Sequence, residues 1–517
     1  MVLSLLAVKC VTKSPLMPSR VAMARFISLR VNPFLVRNFP KVFFMFSPVK
    51  LLLCGALLLS TVYATAHEPA DGVAVSDYKN VLLIIVDDLR ADLGVYGDTQ
   101  ANTPHIDDLA ERGIVFDRAY AHQAICAPSR ASLFTGLRPK TTGIRRLDQP
   151  VSEWVPKVST LNKTFKNAGY TTLAFGKVYH HLNDDLEGWS RQPIDHEHPM
   201  RKSRKEPGQP NPVIDIVASD RALPDRLNIE QAREALVALS LSADRFFMAV
   251  GTHKPHLPFR VPQSAWDATS NRQPISPDLQ QPPKGAPPWS VVALEIWNYD
   301  DLPEKPGPMS PAQTQRLRRA YAASITYVDR LIGDLLKTLS DTGLADDTLI
   351  VLWSDHGYKL GEYGAWSKHT THEVDLRIPL IVVAPQAMPQ GSRSPAIVET
   401  VDIYPTILDF AGIEHPKHLE GASFKGVVLG QSDVAKKAAY SEITRWVSGV
   451  KLRGQSVRSD RYRYTAWVSV ASGEVVSKEL YDHRTELLPT LNLADNKKLA
   501  PVLDALESQR FRHWNGS

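Results

Sequence analysis

The chain has 517 residues, a formal net charge of +5 and three cysteines. At about 100–200 residues per domain, this length suggests two or more domains, or one large domain with an appendage. A hydrophobic share of 43% and a charged share of 22% exclude collagen-like and wholly disordered chains, and three cysteines exclude a disulfide-stapled scaffold.

The charge is unevenly spread. Residues 1–66 carry Lys9, Lys13, Arg20, Arg25, Arg30, Arg37, Lys41 and Lys50, with no Asp or Glu. Removing these eight charges from +5 leaves −3 for residues 67–517. Lys50 precedes an apolar run from Leu51 to Tyr63, then Ala64-Thr-Ala66. A basic residue, a short apolar run and an A-x-A site predict a secretory signal peptide, and hence an exported (periplasmic or secreted) protein. The run is shorter than the ~20 residues of a bilayer span, so no stable membrane span is expected after cleavage. An N-terminal anchor helix is the alternative. Residues 1–44 exceed an ordinary n-region, and the true start is expected at Met45. Cleavage after Ala66 removes Cys10 and Cys54 and leaves Cys126 alone, so no intramolecular disulfide can form.

In the remaining chain, Asn80–Val86 is a continuous apolar, β-branched run, which predicts a strand buried on both faces. A helix is expected from Pro104, after Asn102 or Thr103 as cap, to a stop at Gly113. Further strands are predicted at Thr171–Phe175, Phe246–Val250, Thr348–Trp353 and Ile378–Val383. Pro379 places the last of these at an edge or shortens it. Between them, Leu317, Tyr321, Ile325, Val328, Ile332, Leu335 and Leu339 form one apolar face of a helix over about Ala312–Leu339. Strands alternating with helices predict an α/β sheet covered on both faces. Residues 182–225 and the Pro-rich 257–311 interrupt the pattern; such loops line a site or are plain surface insertions. After about residue 420 the pattern weakens, and Gln455–Val468 and Glu479–Tyr481 read as strands of a smaller C-terminal part. The expected division is a 1–66 leader, a 67–425 catalytic domain and a 426–517 C-terminal subdomain.

Polar groups recur just after the predicted strands: Asp87-Asp88, Gly176-Lys177-Val-Tyr-His180, His253-Lys-Pro-His256 and Ser354-Asp355-His356-Gly357. In open α/β sheets ligands bind outside the carboxyl ends of the strands. Asp87, Asp88, Asp355 and His356 therefore make a candidate site for a divalent cation, which relieves the repulsion of adjacent carboxylates. Oxygen ligands favour calcium or magnesium, and His356 leaves manganese or zinc open. Cys126-Ala-Pro-Ser-Arg130 has Thr135-Gly136 after it, and Pro128 suits the first turn of a helix. Cys126 is then expected just before a helix N-terminus, an end that favours sulfate or phosphate groups. A buried structural cysteine is the plainer alternative.

That stretch resembles the signature of the type I, formylglycine-dependent sulfatase family, Cys-x-Pro-Ser-Arg-x-x-x-(Leu/Met)-Thr-Gly, with Phe134 at the Leu/Met position. The resemblance covers nearly all of residues 78–495, through Thr103–Asp107, Gly361–Gly364, Val401–Thr406 and Glu479–His483 as well as the motifs above. It is nearest the iduronate-2-sulfatase branch, in Val86-Asp-Asp-Leu-Arg90, Gly176–His180, His253-Lys-Pro-His-Leu-Pro-Phe259 and Asp-His at 355–356. It implies an alkaline-phosphatase-like fold: a large mixed, mostly parallel sheet between helices plus a C-terminal α+β subdomain. It further implies that a maturing enzyme oxidises Cys126 to formylglycine and that calcium binds Asp87, Asp88, Asp355, His356 and modified Cys126. Arg130 would hold the formylglycine, and Lys177, His256 and Lys368 the sulfate oxygens. In the family mechanism Asp355 helps deprotonate the nucleophile, His256 or Lys368 protonates the leaving sugar oxygen, and His180 takes the last proton. His253 is the weaker histidine, because the family's functional one directly follows the proline.

A phosphomonoesterase or phosphodiesterase of the same superfamily is the rival reading, and a non-catalytic glycan-binding relative a second. Cys126 in the full motif argues against the first, and the intact ligand set against the second. The substrate implied is a sulfated carbohydrate, with a 2-sulfated uronate in a polysaccharide as the finer expectation. Arg201, Lys202, Arg204 and Lys205 are either polyanion contacts or a solvated run. The slight acidity of residues 67–517 gives nucleic-acid binding no support.

Overall fold

The structure is a computed structural model that describes residues 78–197, 210–292, 295–302, 309–385, 391–484 and 486–516. The predicted leader and the basic run 201–205 lie outside the described residues.

Along the chain the strands are β1 (Asn80–Asp87), β2 (Ile114–Tyr120), β3 (Thr171–Gly176), β4 (Ile214–Val217), β5 (Phe246–Pro255), β6 (Phe259–Pro262) and β7 (Thr348–Ser354). They continue with β8 (Arg377–Ile378), β9 (Leu380–Val383), β10 (Ser392–Glu399), β11 (Ala439–Val447), β12 (Val450–Arg458), β13 (Tyr462–Ser469) and β14 (Val475–Asp482). The large sheet has the order β10-β2-β9-β7-β1-β5-β3, with β8 beside β2. Strands β7, β1, β5 and β3 run parallel, whereas β9 is antiparallel to both β7 and β2. The sheet is thus mixed but mostly parallel, as expected.

Successive side chains of β1 enter opposite cores. Val81, Leu83 and Ile85 join one cluster with Phe134, Trp353 and Tyr404, and Leu82, Ile84 and Val86 join another with Leu236, Leu331 and Ile332. Burial on both faces is why this strand reads as an unbroken apolar run. The long helix Pro311–Asp341 covers the second face, and its seven predicted apolar positions are all buried. A capping box at Ser310 and Gln313 starts it, closing two backbone groups that the first turn leaves open. The helices Cys126–Thr135 and Thr400–Ala411 pack on the first face.

One expectation is met by its second alternative and one needs correction. Pro379 shortens its strand and does not place it at an edge: β9 lies between β2 and β7, and the proline splits β8 from β9. Proline lacks a donor, so the ladder stops there and restarts one residue later. Helix Cys126–Thr135 begins at Cys126 itself, with Pro128 third in its first turn, where no intrahelical N–H bond is lost. Two strands of the large sheet, β2 and β10, escape the sequence pattern because Asp117-Arg118 and Pro395 interrupt their apolar runs.

Strands β11-β12-β13-β14 form a separate antiparallel sheet followed by helix Ala500–Asn515. The Gln455–Val468 stretch divides into β12 and β13. This sheet is tied to the large one by Glu373, which is buried and paired with Arg458 at 2.9 Å and Arg463 at 2.6 Å.

Candidate active site

Four adjacent parallel strands release their chains at one edge. Asp87 closes β1, Lys177 follows β3, His253 lies near the end of β5 and Asp355 follows β7. The β1–β5 register shifts between Val86 and Asp87, where the pairing passes from Thr252 to Pro255 and His253-Lys254 bulge out of the ladder. Asp88 then takes a left-handed backbone, φ 59°, which aspartate tolerates better than most residues. Gly176 has φ 71°, and a Cβ there would stand 2.0 Å from the Gly251 carbonyl oxygen. Only glycine lets β3 turn this close to β5 and deliver Lys177.

Helix Cys126–Thr135 points its N-terminus at the same place. Ile125, its cap, supplies no side-chain bond, so the first backbone N–H groups and the positive helix end face the site. The Cys126 Sγ lies 3.4 Å from His356 Nε2, 3.7 Å from Lys177 Nζ and 3.9 Å from Lys368 Nζ. Arg130, one turn on, is fully buried. Its Nη2 donates to Asp87 at 3.1 Å, its Nε to Asp355 at 2.9 Å, and its Nη1 to the Lys177 and Val178 carbonyls. Lys177 pairs with Asp87, and Lys368 with Asp88 at 2.7 Å. Ser129 donates to the Asp355 carbonyl at 2.5 Å and the Asp88 amide to Asp355 Oδ1 at 3.1 Å, locking the β1 and β7 loops together.

Three buried carboxylates thus face three buried cations. Burial opposes ionisation of Asp87, but Lys177 and Arg130 outweigh it and hold the carboxyl well below the usual range. Asp355 is shifted upward by burial, opposed by His356, with neighbouring Asp87 adding to the rise. Burial and Asp87 push the Cys126 thiol well up. Burial disfavours the charged form of Lys368, yet Asp88 outweighs it and the ammonium is held well above its ordinary range.

Ligand atoms of Asp87, Cys126, Asp355 and His356 all lie within 4.8 Å of one another, as do those of Asp87, Asp88, Cys126 and His256. A carboxylate-rich donor set with one imidazole fits a hard divalent cation. The His356 Nδ1 faces the Gly357 carbonyl at 3.0 Å, which turns Nε2 towards the cluster.

The cluster floors an open cleft of ≈ 520 Å³, lined by Cys126, Lys177, His180, His253, His256 and Lys368 among others. Both sequence interruptions contribute to its wall, through Glu197 and Asn211 and through Pro258, Glu295 and Tyr299. His180 lines it without a hydrogen bond to the cluster among the described residues. Its Nδ1 is buried without a partner, and burial, Lys177 and His181 push its pKa down to about 2, so the ring is neutral. Glu295 was not expected from the sequence. It stands 3.3 Å from Lys368 and 3.4 Å from His256. Burial raises its carboxyl, but Lys368 and His256 outweigh this and keep it ionised. A lone acid in a Pro-rich insertion carries no motif, so no sequence signal marked it.

The chain is similar to known proteins over most of its length. The family model described as Sulfatase matches residues 79–413, and the model for the C-terminal part of N-sulphoglucosamine sulphohydrolase matches 361–514. Iduronate 2-sulfatase of Homo sapiens is 32% identical, over 84% of this chain and 93% of that protein. The solved structure of BT4656 in complex with its substrate D-glucosamine-2-N,6-O-disulfate superposes with TM-score 0.68 at 22% identity, covering 85% of this chain and 98% of that one. A phosphonate monoester hydrolase from Silicibacter pomeroyi gives 0.66 at 24%, covering 84% and 94%. At these identities the two structures speak to the fold alone.

Proposed function

The chain belongs to the sulfatase family, near the iduronate 2-sulfatase branch, and is a sulfuric ester hydrolase; we propose that it is exported and removes sulfate from a sulfated sugar through a formylglycine made from Cys126. The observation that carries this reading is the Cys126 thiol at a helix N-terminus on the cleft floor, within 4 Å of Lys177, Lys368 and His356. A 2-sulfated uronate is the favoured substrate, because the relative that is 32% identical is named for iduronate 2-sulfate chemistry. Export rests on the basic, apolar and Ala-Thr-Ala pattern of the leader. Among the described residues no helix is long and apolar enough to cross a membrane.

Asp87, Asp88, Asp355 and His356 would hold the divalent cation, with calcium favoured by the oxygen-rich set. When bound, the ion supplies positive charge where the sulfate ester and nucleophile carry negative charge. The oxidised, hydrated side chain at 126 supplies the attacking hydroxyl. Arg130 holds Asp87 and Asp355 in place behind that residue. Lys177, Lys368 and the helix N-terminus, buried at the cleft floor, offset the sulfate's charge. Asp355, its carboxyl raised by burial, accepts the proton of the attacking hydroxyl. His256 at the cleft wall gives a proton to the departing sugar oxygen. His180, kept neutral, is in the form that can accept one.

The test is sulfate release from a panel of sulfated oligosaccharides by protein co-expressed with a sulfatase-maturing enzyme. Cys126→Ala is expected to abolish release, and chelation to abolish it until calcium is returned. Active enzyme whose residue 126 remains plain cysteine by mass spectrometry refutes the nucleophile. Faster cleavage of aryl phosphate or phosphonate than of aryl sulfate refutes the sulfate preference.

A further inference from the structure

His253 is left over by the mechanism above, yet it is held on the cleft wall through both its ring and its backbone. Its Nε2 lies 2.9 and 3.0 Å from the two oxygens of Asp195. Asp195 is itself held by the Asn228 amide at 3.3 Å and the Glu197 backbone N–H at 3.0 Å. The His253 backbone N–H donates to Asp225 at 2.8 Å, and the next N–H, of Lys254, donates to the other Asp225 oxygen at 2.9 Å. Asp225 and Asn228 both belong to helix Pro224–Ser240, so one helix fixes both partners of the pair. The ring lies between the main cleft and a small cavity of ≈ 50 Å³ that also touches Lys177, His180 and Asp195.

This mounting decides what the ring can present. Burial raises the Asp195 carboxyl, but His253 outweighs it and keeps the carboxylate ionised, so it only accepts. The Nε2 must then carry a hydrogen, and a neutral imidazole mounted in this way has its lone pair on Nδ1. Nδ1 makes no hydrogen bond among the described residues, and the side chain keeps 17% exposure on the cleft. A lone pair repels sulfate oxygens and accepts from a hydroxyl. The groups around the sulfate position, Lys177 and Lys368, only donate, so the hydrogen of a sugar hydroxyl next to the sulfated carbon can go to Nδ1 but not to them.

We propose that the Asp195-held His253 is a specificity-determining residue whose Nδ1 accepts a hydrogen bond from the sugar hydroxyl adjacent to the sulfated carbon. The inference rests on the sugar-sulfatase reading and names the feature of the sugar that this wall selects.

The experiment compares a 2-O-sulfated uronate disaccharide, its 3-deoxy analogue and an aryl sulfate, with full-length matured enzyme. His253→Ala is expected to lower kcat/KM on the disaccharide about ten-fold more than on the 3-deoxy analogue, mainly through KM, the size of one lost hydrogen bond. Asp195→Asn, which loosens the tautomer, follows in the same direction. His253→Asn, whose amide oxygen can occupy the Nδ1 position, recovers part of the discrimination, whereas His253→Gln does not. Equal fold-losses on all three substrates overturn this assignment alone. Wild-type enzyme that releases no sulfate from any of them overturns the sulfatase reading, and this inference with it.

Discussion

Replacing Arg130 by methionine tests the electrostatic core of the site most directly. The guanidinium is fully buried, bonds to Asp87 at 3.1 Å and Asp355 at 2.9 Å, and donates to the Lys177 and Val178 carbonyls. Methionine keeps the unbranched apolar stem and removes the charge and every donor. Removing one partner of a buried ion pair costs about 3–5 kcal/mol, because the remaining charge is uncompensated. Asp87 retains Lys177 and Asp355 retains the Asp88 amide, which lowers the figure. The two stranded carbonyls add about 1 kcal/mol each. The balance is a loss of about 4 kcal/mol, read as a drop in unfolding free energy by urea titration followed through tryptophan fluorescence. Arg130→Lys retains the charge without the planar fork, so about half that loss is expected. A methionine variant within about 1 kcal/mol of the parent refutes the claim that this guanidinium neutralises the buried carboxylates.

Two further outcomes follow from particular distances. Gly176→Ala places a Cβ 2.0 Å from the Gly251 oxygen at a φ of 71°, so it is expected to lower the melting temperature and, by moving adjacent Lys177, kcat/KM as well. Unchanged values for both contradict the close β3–β5 approach. Glu362 is buried; burial alone would raise its carboxyl, but Arg90 at 2.9 Å and Arg318 at 3.4 Å bring it down to about 2 from an ordinary 4.5. The unfolded chain therefore binds this proton first. The pair's contribution is present above pH 4.5 and is lost as pH falls towards 2, about 3 kcal/mol in all. Glu362→Gln flattens that acid limb of the stability profile, and an unchanged slope between pH 4.5 and 2 refutes the pairing.

Much of this protein is written locally. The β1 and β7 runs are apolar from Val81 to Val86 and from Leu349 to Trp353 because both faces of those strands are covered, and the 311–341 helix shows its face because the stripe from Leu317 to Leu339 is buried along its length. The motif from Cys126 to Gly136 marks a helix start, a nucleophile candidate and its arginine within eleven residues. From these the sequence by itself determines the α/β class, the family and the set of strand-end loops that bear the chemistry.

Lateral order is another matter. Nothing in a run of residues says that β9 inserts backwards between β2 and β7, or that β1 lies between β7 and β5, because hydrogen-bonded neighbours are chosen by packing across the whole sheet. Only that order brings Arg130 to Asp355 across 225 positions and Lys368 to Asp88 across 280. It also supplies Glu295 and Asp195, single acids in irregular segments whose roles come solely from what faces them. Periodicity records whether a residue is buried, whereas the partner of a buried charge is fixed only when the chain is closed around it.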